Sequence, residues 1–112
     1  MKYKLTTLFG ILTALNIIDW VQTNYAIEHG AYELNPFARW LIENDLFNTT
    51  KAYGTMLFIT LSGSFAWMDY YDIFKNYQNI YNIMFGLILA VVISYTFGVI
   101  SNTIQLSMLK SG

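Results

Sequence analysis

Read for its hydrophobic and polar positions alone, the chain divides into three long apolar stretches joined by two polar connectors. Leu5 to Ile18 carries no charge, and Trp20 to Ile27 extends the stretch past a single carboxylate, Asp19. Crossing ~30 Å of hydrocarbon takes ~20 helical residues. A first helix is therefore expected over about residues 3–28, roughly 38 Å long. A second charge-free run lies between Lys51 and Asp69 and predicts a helix at about 50–68. The third run has no charge from Asn76 to Leu109, and it predicts a helix at about 80–106. Val91, Val92, Ile93, Tyr95 and Thr96 would favour a strand in water, but in lipid a helix satisfies every backbone group.

The first connector has an element of its own. Pro36 suits the first position of a helix with Asn35 as its cap. Phe37, Trp40 and Leu41 then share one face while Arg39 and Glu43 turn away. A short amphipathic helix at about 36–43, on the membrane surface, is expected. Asn44 to Thr50 reads as a turn. The second connector, Asp69 to Gln78, suits a membrane interface through Tyr70, Tyr71 and Tyr77. Gly54, Ser62, Gly63, Ser64 and Ala66 in the second helix, and Gly86, Gly98 and Ser101 in the third, are small enough to let backbones approach closely.

Composition agrees with this pattern. The 112 residues are 55% hydrophobic and 12% charged, against about 25% charged in soluble domains. So small a soluble protein has too much surface to cover with so few charges. Nine Tyr, eight Phe and three Trp suit headgroup and hydrocarbon levels. The reading is an all-α integral membrane protein of a single domain, with three transmembrane helices. A net charge of −1 leaves no basic patch for nucleic acid. Without cysteine, disulfides, iron–sulfur clusters and thiol nucleophiles are excluded. Lys2 and Lys4 before an apolar run resemble a signal peptide, but no small-x-small site precedes Asp19, so the first helix is expected to be retained. Lys2, Lys4 and Lys75 balance Arg39, Lys51 and Lys110 across the membrane. The basic flank of the first helix then places the N-terminus on the cytoplasmic side.

Asp19 is the residue the pattern does not accommodate. An unpaired carboxylate at that depth costs ~2.5–3.5 kcal/mol, so it must face protein, take a proton or meet a cation. Asn16 at i−3 and Thr23 at i+4 lie on its face, with Thr13 and Gln22 at the edge, making one polar stripe. Lys51 opens the next helix on the same side and reaches toward Asp19 if it lies inside the first turn. Glu33 or Glu28 would be an easier partner for that lysine. Glu33 and Asn35, beside the turn at Pro36, could fold over the same cluster. Asp19, Glu33 and His29 could then hold a metal, although their spacing matches no regular ligand motif.

Asn16–x–x–Asp19–x–x–x–Thr23, then Glu33–Leu34–Asn35–Pro36, then Lys51, resembles the signature of a family of small bacterial and archaeal multi-pass membrane proteins of unknown function. The resemblance covers about residues 12–55. It implies three or so membrane helices and a polar set that acts together, and it supplies no substrate or cofactor.

Two functions follow as expectations. In the first, the protein is a structural or accessory subunit, its partners being membrane lipids and other membrane protein subunits or further copies of itself. The cluster of Asn16, Asp19, Thr23, Glu33, Asn35 and Lys51 then fixes helix packing. In the second, the cluster binds an ion, proton or small ligand in a minimal oligomeric transporter or membrane enzyme. One histidine and seven carboxylates, most of them in connectors, argue against an enzyme and favour the first.

Overall fold

The computed structural model describes residues 3–28 and 36–111, with the side chains of 36–38 and 109–111 excepted. All regular structure among them is helical. Helix α1 spans Lys4–Glu28, α2 Pro36–Glu43, α3 Phe47–Tyr70 and α4 Gln78–Ser111, with a 3-10 turn at Ile73–Asn76 before α4. Glu33, Asn35 and His29 lie outside the described residues, so their expected place over the cluster does too.

Helix α1 is the middle of the bundle and packs along both α3 and α4. Its buried residues, Leu5, Leu8, Phe9, Leu12, Asn16 and Thr23, repeat at helical spacing as one stripe. Pairs that join α1 to α3 run in opposite directions: Thr6 with Ser62, and Asn16 with Thr55. Pairs that join α1 to α4 run together: Leu5 with Tyr81, Asn16 with Tyr95, and Asp19 with Asn102. Helices α3 and α4 meet through long side chains, as where the Phe58 and Tyr95 rings stand edge to face at 6.4 Å.

The stripe changes character along its length. Toward the N-terminus of α1 it is apolar, with Leu8, Phe9 and Leu12 packed with Val92, Phe58, Leu61, Phe65, Phe85 and Ile88. Phe9 stacks on Phe65 at 5.5 Å, an offset arrangement worth about 1 kcal/mol beyond its area. Toward the C-terminus of α1 the same stripe is polar.

Helices α1 and α4 are long and apolar enough to cross a membrane. Of the most apolar window of α4, only 6% is buried within the protein. Phe97 is 69% exposed and Leu87 63%. A helix that apolar, left open on most sides, is stable only where its surroundings are apolar too. The protein is therefore a membrane protein with at least two spanning helices.

Local chemistry sets the turns. After α2, Asp45 adopts a left-handed φ of 57°, a conformation that Asp tolerates better than most residues. Asp45 N–H donates to Ile42 O at 3.1 Å and Leu46 N–H to Leu41 O at 2.8 Å. This pairing closes off the last carbonyls of a helix. The turn is therefore complete at Leu46, and α3 begins at Phe47 rather than near Thr50. Leu41 is buried while Trp40, beside it on α2, is 52% exposed.

The described glycines divide in how closely another helix approaches them. A Cβ on Gly63, Gly86 or Gly98 would have nothing within 4 Å, whereas among the described glycines one on Gly54 would touch a neighbouring helix, 3.6 Å from Asn16 Nδ2. The bundle closes through side-chain hydrogen bonds and rings rather than glycine contacts.

Asp69, at the start of the second connector, is only 7% exposed. Its Oδ2 accepts from Tyr3 N–H and from the Tyr81 hydroxyl, both at 3.1 Å. That hydroxyl accepts in turn from Leu5 N–H at 3.2 Å. The end of α3 and the start of α4 thus satisfy amide donors that the first turn of α1 leaves open. Asp69→Ala is expected to destabilise the fold by about 1–2 kcal/mol. Amide exchange should accelerate first at residues 3–7, and unchanged exchange there would contradict the capping role.

Candidate functional site

The polar half of the stripe gathers side chains from all three long helices. Because α3 begins at Phe47, Lys51 lies in its second turn, and the antiparallel run of α3 brings it level with Asn16 and Asp19. Its ammonium donates to Asp19 Oδ2 at 2.5 Å and to Asn16 Oδ1 at 3.2 Å. Lys51 thus reaches Asp19 from the second turn of the helix rather than the first. Lys51 pairs with Asp19 itself.

Helix α4 completes the site. Asn102 Nδ2 donates to Asp19 Oδ1 at 2.6 Å, so both carboxylate oxygens are engaged. The Tyr95 hydroxyl donates to Asn16 Oδ1 at 3.3 Å. Asn16 is 2% exposed and uses both ends of its amide. Its Nδ2 donates to Thr55 Oγ1 at 2.9 Å and to the Lys51 backbone carbonyl at 3.2 Å. The chemistry fixes the orientation of that amide, since an ammonium only donates and a carbonyl only accepts.

The side chains of Lys51 and Asp19 keep 13% and 23% of their exposure. The ammonium also faces two rings, Tyr95 at 5.4 Å and Phe47 at 5.7 Å from their centroids. Both distances lie within the reach of a cation–π attraction. The pair is electrically neutral, and Asn16 and Asn102 add hydrogen bonds to its charged groups, a condition under which charges are tolerated away from water. This internal network of Asp19, Lys51 and Asn16 stabilises helix packing.

Further polar contacts continue toward the C-terminus of α1. Trp20 Nε1 and Asn24 Nδ2 both donate to Asn48 Oδ1, at 2.7 and 2.9 Å. Gln22 Nε2 donates to Thr103 Oγ1 at 2.9 Å, and the Thr103 hydroxyl donates back to Val99 O at 2.8 Å. Since that hydroxyl proton is committed, Gln22 must act as donor, which leaves its buried Oε1 without a partner.

Of the residues expected from sequence, Asn16, Asp19 and Lys51 meet directly. Thr23 is buried at 6% on the same stripe, but none of the cluster's hydrogen bonds involves it. Glu33, Asn35 and His29 fall outside the described residues. Within those residues no three carboxylate or imidazole groups converge as a metal site. Sequence reasoning missed Asn102, Tyr95 and Thr55. Their one signal was position: Tyr95 and Asn102 stand seven residues apart on one face of an otherwise apolar helix, and Thr55 lies one turn beyond Lys51.

Residues 10–108 match the family described as Domain of unknown function (DUF5658), and the chain belongs to that family. No curated protein and no solved structure matches it.

Proposed function

From membership of a family whose description assigns no activity, we propose, on the site's own geometry, that the protein is a structural or accessory subunit of a larger membrane assembly. In this reading α3 is a third span between α1 and α4. At 24 residues it is roughly 36 Å long, enough for the hydrocarbon core. The N-terminus lies on the cytoplasmic side, and the short helix α2 rests at the opposite interface. The observation that carries the reading is the occupancy of Asp19. One of its oxygens holds Lys51 and the other Asn102, so the carboxylate is committed to joining helices. The apolar outer faces of α3 and α4 then meet lipid, a membrane protein partner or another copy of the chain.

A second reading is favoured by one specific observation, the 23% exposure that the Asp19 side chain retains. In that reading Asp19 is a working carboxylate from which a proton or cation displaces Lys51.

Gentle extraction from native membranes followed by cross-linking and native mass spectrometry separates the alternatives. The subunit reading expects a defined complex, with either a partner or several copies, and a monodisperse single chain would overturn it. Asp19→Asn adds a second arm. Asparagine offers one accepting oxygen where Asp19 uses two, so the subunit reading expects less folded protein in the membrane. Full assembly with loss of proton or cation binding would favour the working carboxylate.

A further inference from the structure

The surroundings of the Lys51 ammonium are those of a binding site, and we propose that they form a built receptor for a primary ammonium group, occupied in the intact protein by Lys51. The inference deepens the second reading above by naming the cation, and it rests on that reading for any use by an outside ligand. Four groups face the nitrogen: Asp19 Oδ2 at 2.5 Å, Asn16 Oδ1 at 3.2 Å, and the rings of Tyr95 and Phe47 at 5.4 and 5.7 Å. A carboxylate, an amide oxygen and two aromatic faces are the combination by which an ammonium is recognised after it leaves water.

The receptor is held together by contacts that do not pass through the lysine side chain. Asn102 fixes the far oxygen of Asp19 at 2.6 Å. Asn16 is fixed by Thr55 Oγ1 at 2.9 Å and by the Lys51 backbone carbonyl at 3.2 Å. That carbonyl remains whatever side chain stands at the position. Truncating Lys51 to alanine therefore removes the occupant and leaves the walls. The space left corresponds to a three-carbon chain ending in an ammonium, the size and charge of propylammonium. The two accepting oxygens require N–H donors, so a quaternary cation of similar charge fits the rings but not the oxygens.

The experiment is chemical complementation. Lys51→Ala is purified in detergent micelles, and its unfolding midpoint is followed as propylammonium chloride is added at constant ionic strength. The expected result is a saturable upward shift, half-complete at a concentration at least ten-fold below that of any shift in the unsubstituted protein. Propanol and tetramethylammonium should not produce it, and the Lys51→Ala/Asp19→Asn double variant should lose it. If Lys51→Ala does not accumulate, the amine is supplied during expression and the yield of folded protein in membranes is read instead. No response, an equal response to propanol, or a response that survives Asp19→Asn would overturn the receptor. A response confined to Lys51→Ala, with none in the unsubstituted protein at any concentration, would leave the receptor standing and remove the working-carboxylate reading.

Discussion

Lys51→Met should be the most damaging single substitution in the bundle. Methionine keeps the length and much of the bulk of the stem but removes the ammonium, leaving Asp19 with Asn102 as its one remaining donor. Removing one member of a buried pair costs 3–5 kcal/mol in proteins generally. Asp19 keeps 23% of its side-chain exposure, so the lower end, about 3 kcal/mol, is expected. Adding Asp19→Asn should restore most of that stability, because the pair is then uncharged and Asn102 still has an oxygen to donate to. Denaturation in mixed micelles measures both variants on the same scale. A double variant no more stable than Lys51→Met would show that the charge pair is not what holds these helices.

Asn16→Ala is expected to follow closely, at about 2 kcal/mol. Interhelical hydrogen bonds in membranes average ~0.6 kcal/mol each, and Asn16 takes part in four, to α3 and α4. The comparison that gives this figure meaning is Leu12→Ala, at a fully buried apolar position. In water such a truncation costs about 2–5 kcal/mol, much of it the transfer of methylene groups away from solvent. Lipid is as apolar as the core, so that part vanishes and only lost packing remains. The expected ranking therefore has Asn16→Ala at least as harmful as Leu12→Ala, the reverse of the order usual in a soluble core. The same unfolding assay decides it.

The legible parts of the molecule were those where a residue type conflicts with its solvent. Asp19 in an apolar run demands an explanation wherever it sits, and Asn16 and Lys51 follow from helical spacing and chain return. The all-helical character was legible for the same reason, since lipid leaves the backbone few alternatives. Asn102 and Tyr95 were not, because neutral polar side chains in a long apolar helix acquire meaning only once α4 is known to run parallel to α1. The role of Asp69 was not legible either, because it sits in a connector full of tyrosines that suits an interface. Only the meeting of the end of α3 with the first turn of α1 makes it a cap. Gly63, Gly86 and Gly98 could not show where helices meet, since small side chains permit close approach without requiring it.

The central place of α1 has a consequence for biogenesis. The helix that touches both others is the first of the three to be synthesised, so its polar face is made before either of its partners in the bundle. Until α3 follows, Asp19 stands as a lone charge, at the ~2.5–3.5 kcal/mol that insertion of such a group costs. Lys51 comes early in α3, so neutralisation waits for little more than the connector between the two helices. Asn102, on α4, is supplied later, after Lys51 has already been made. The order of synthesis thus supplies the counter-charge of Asp19 first and the hydrogen bond from Asn102 last.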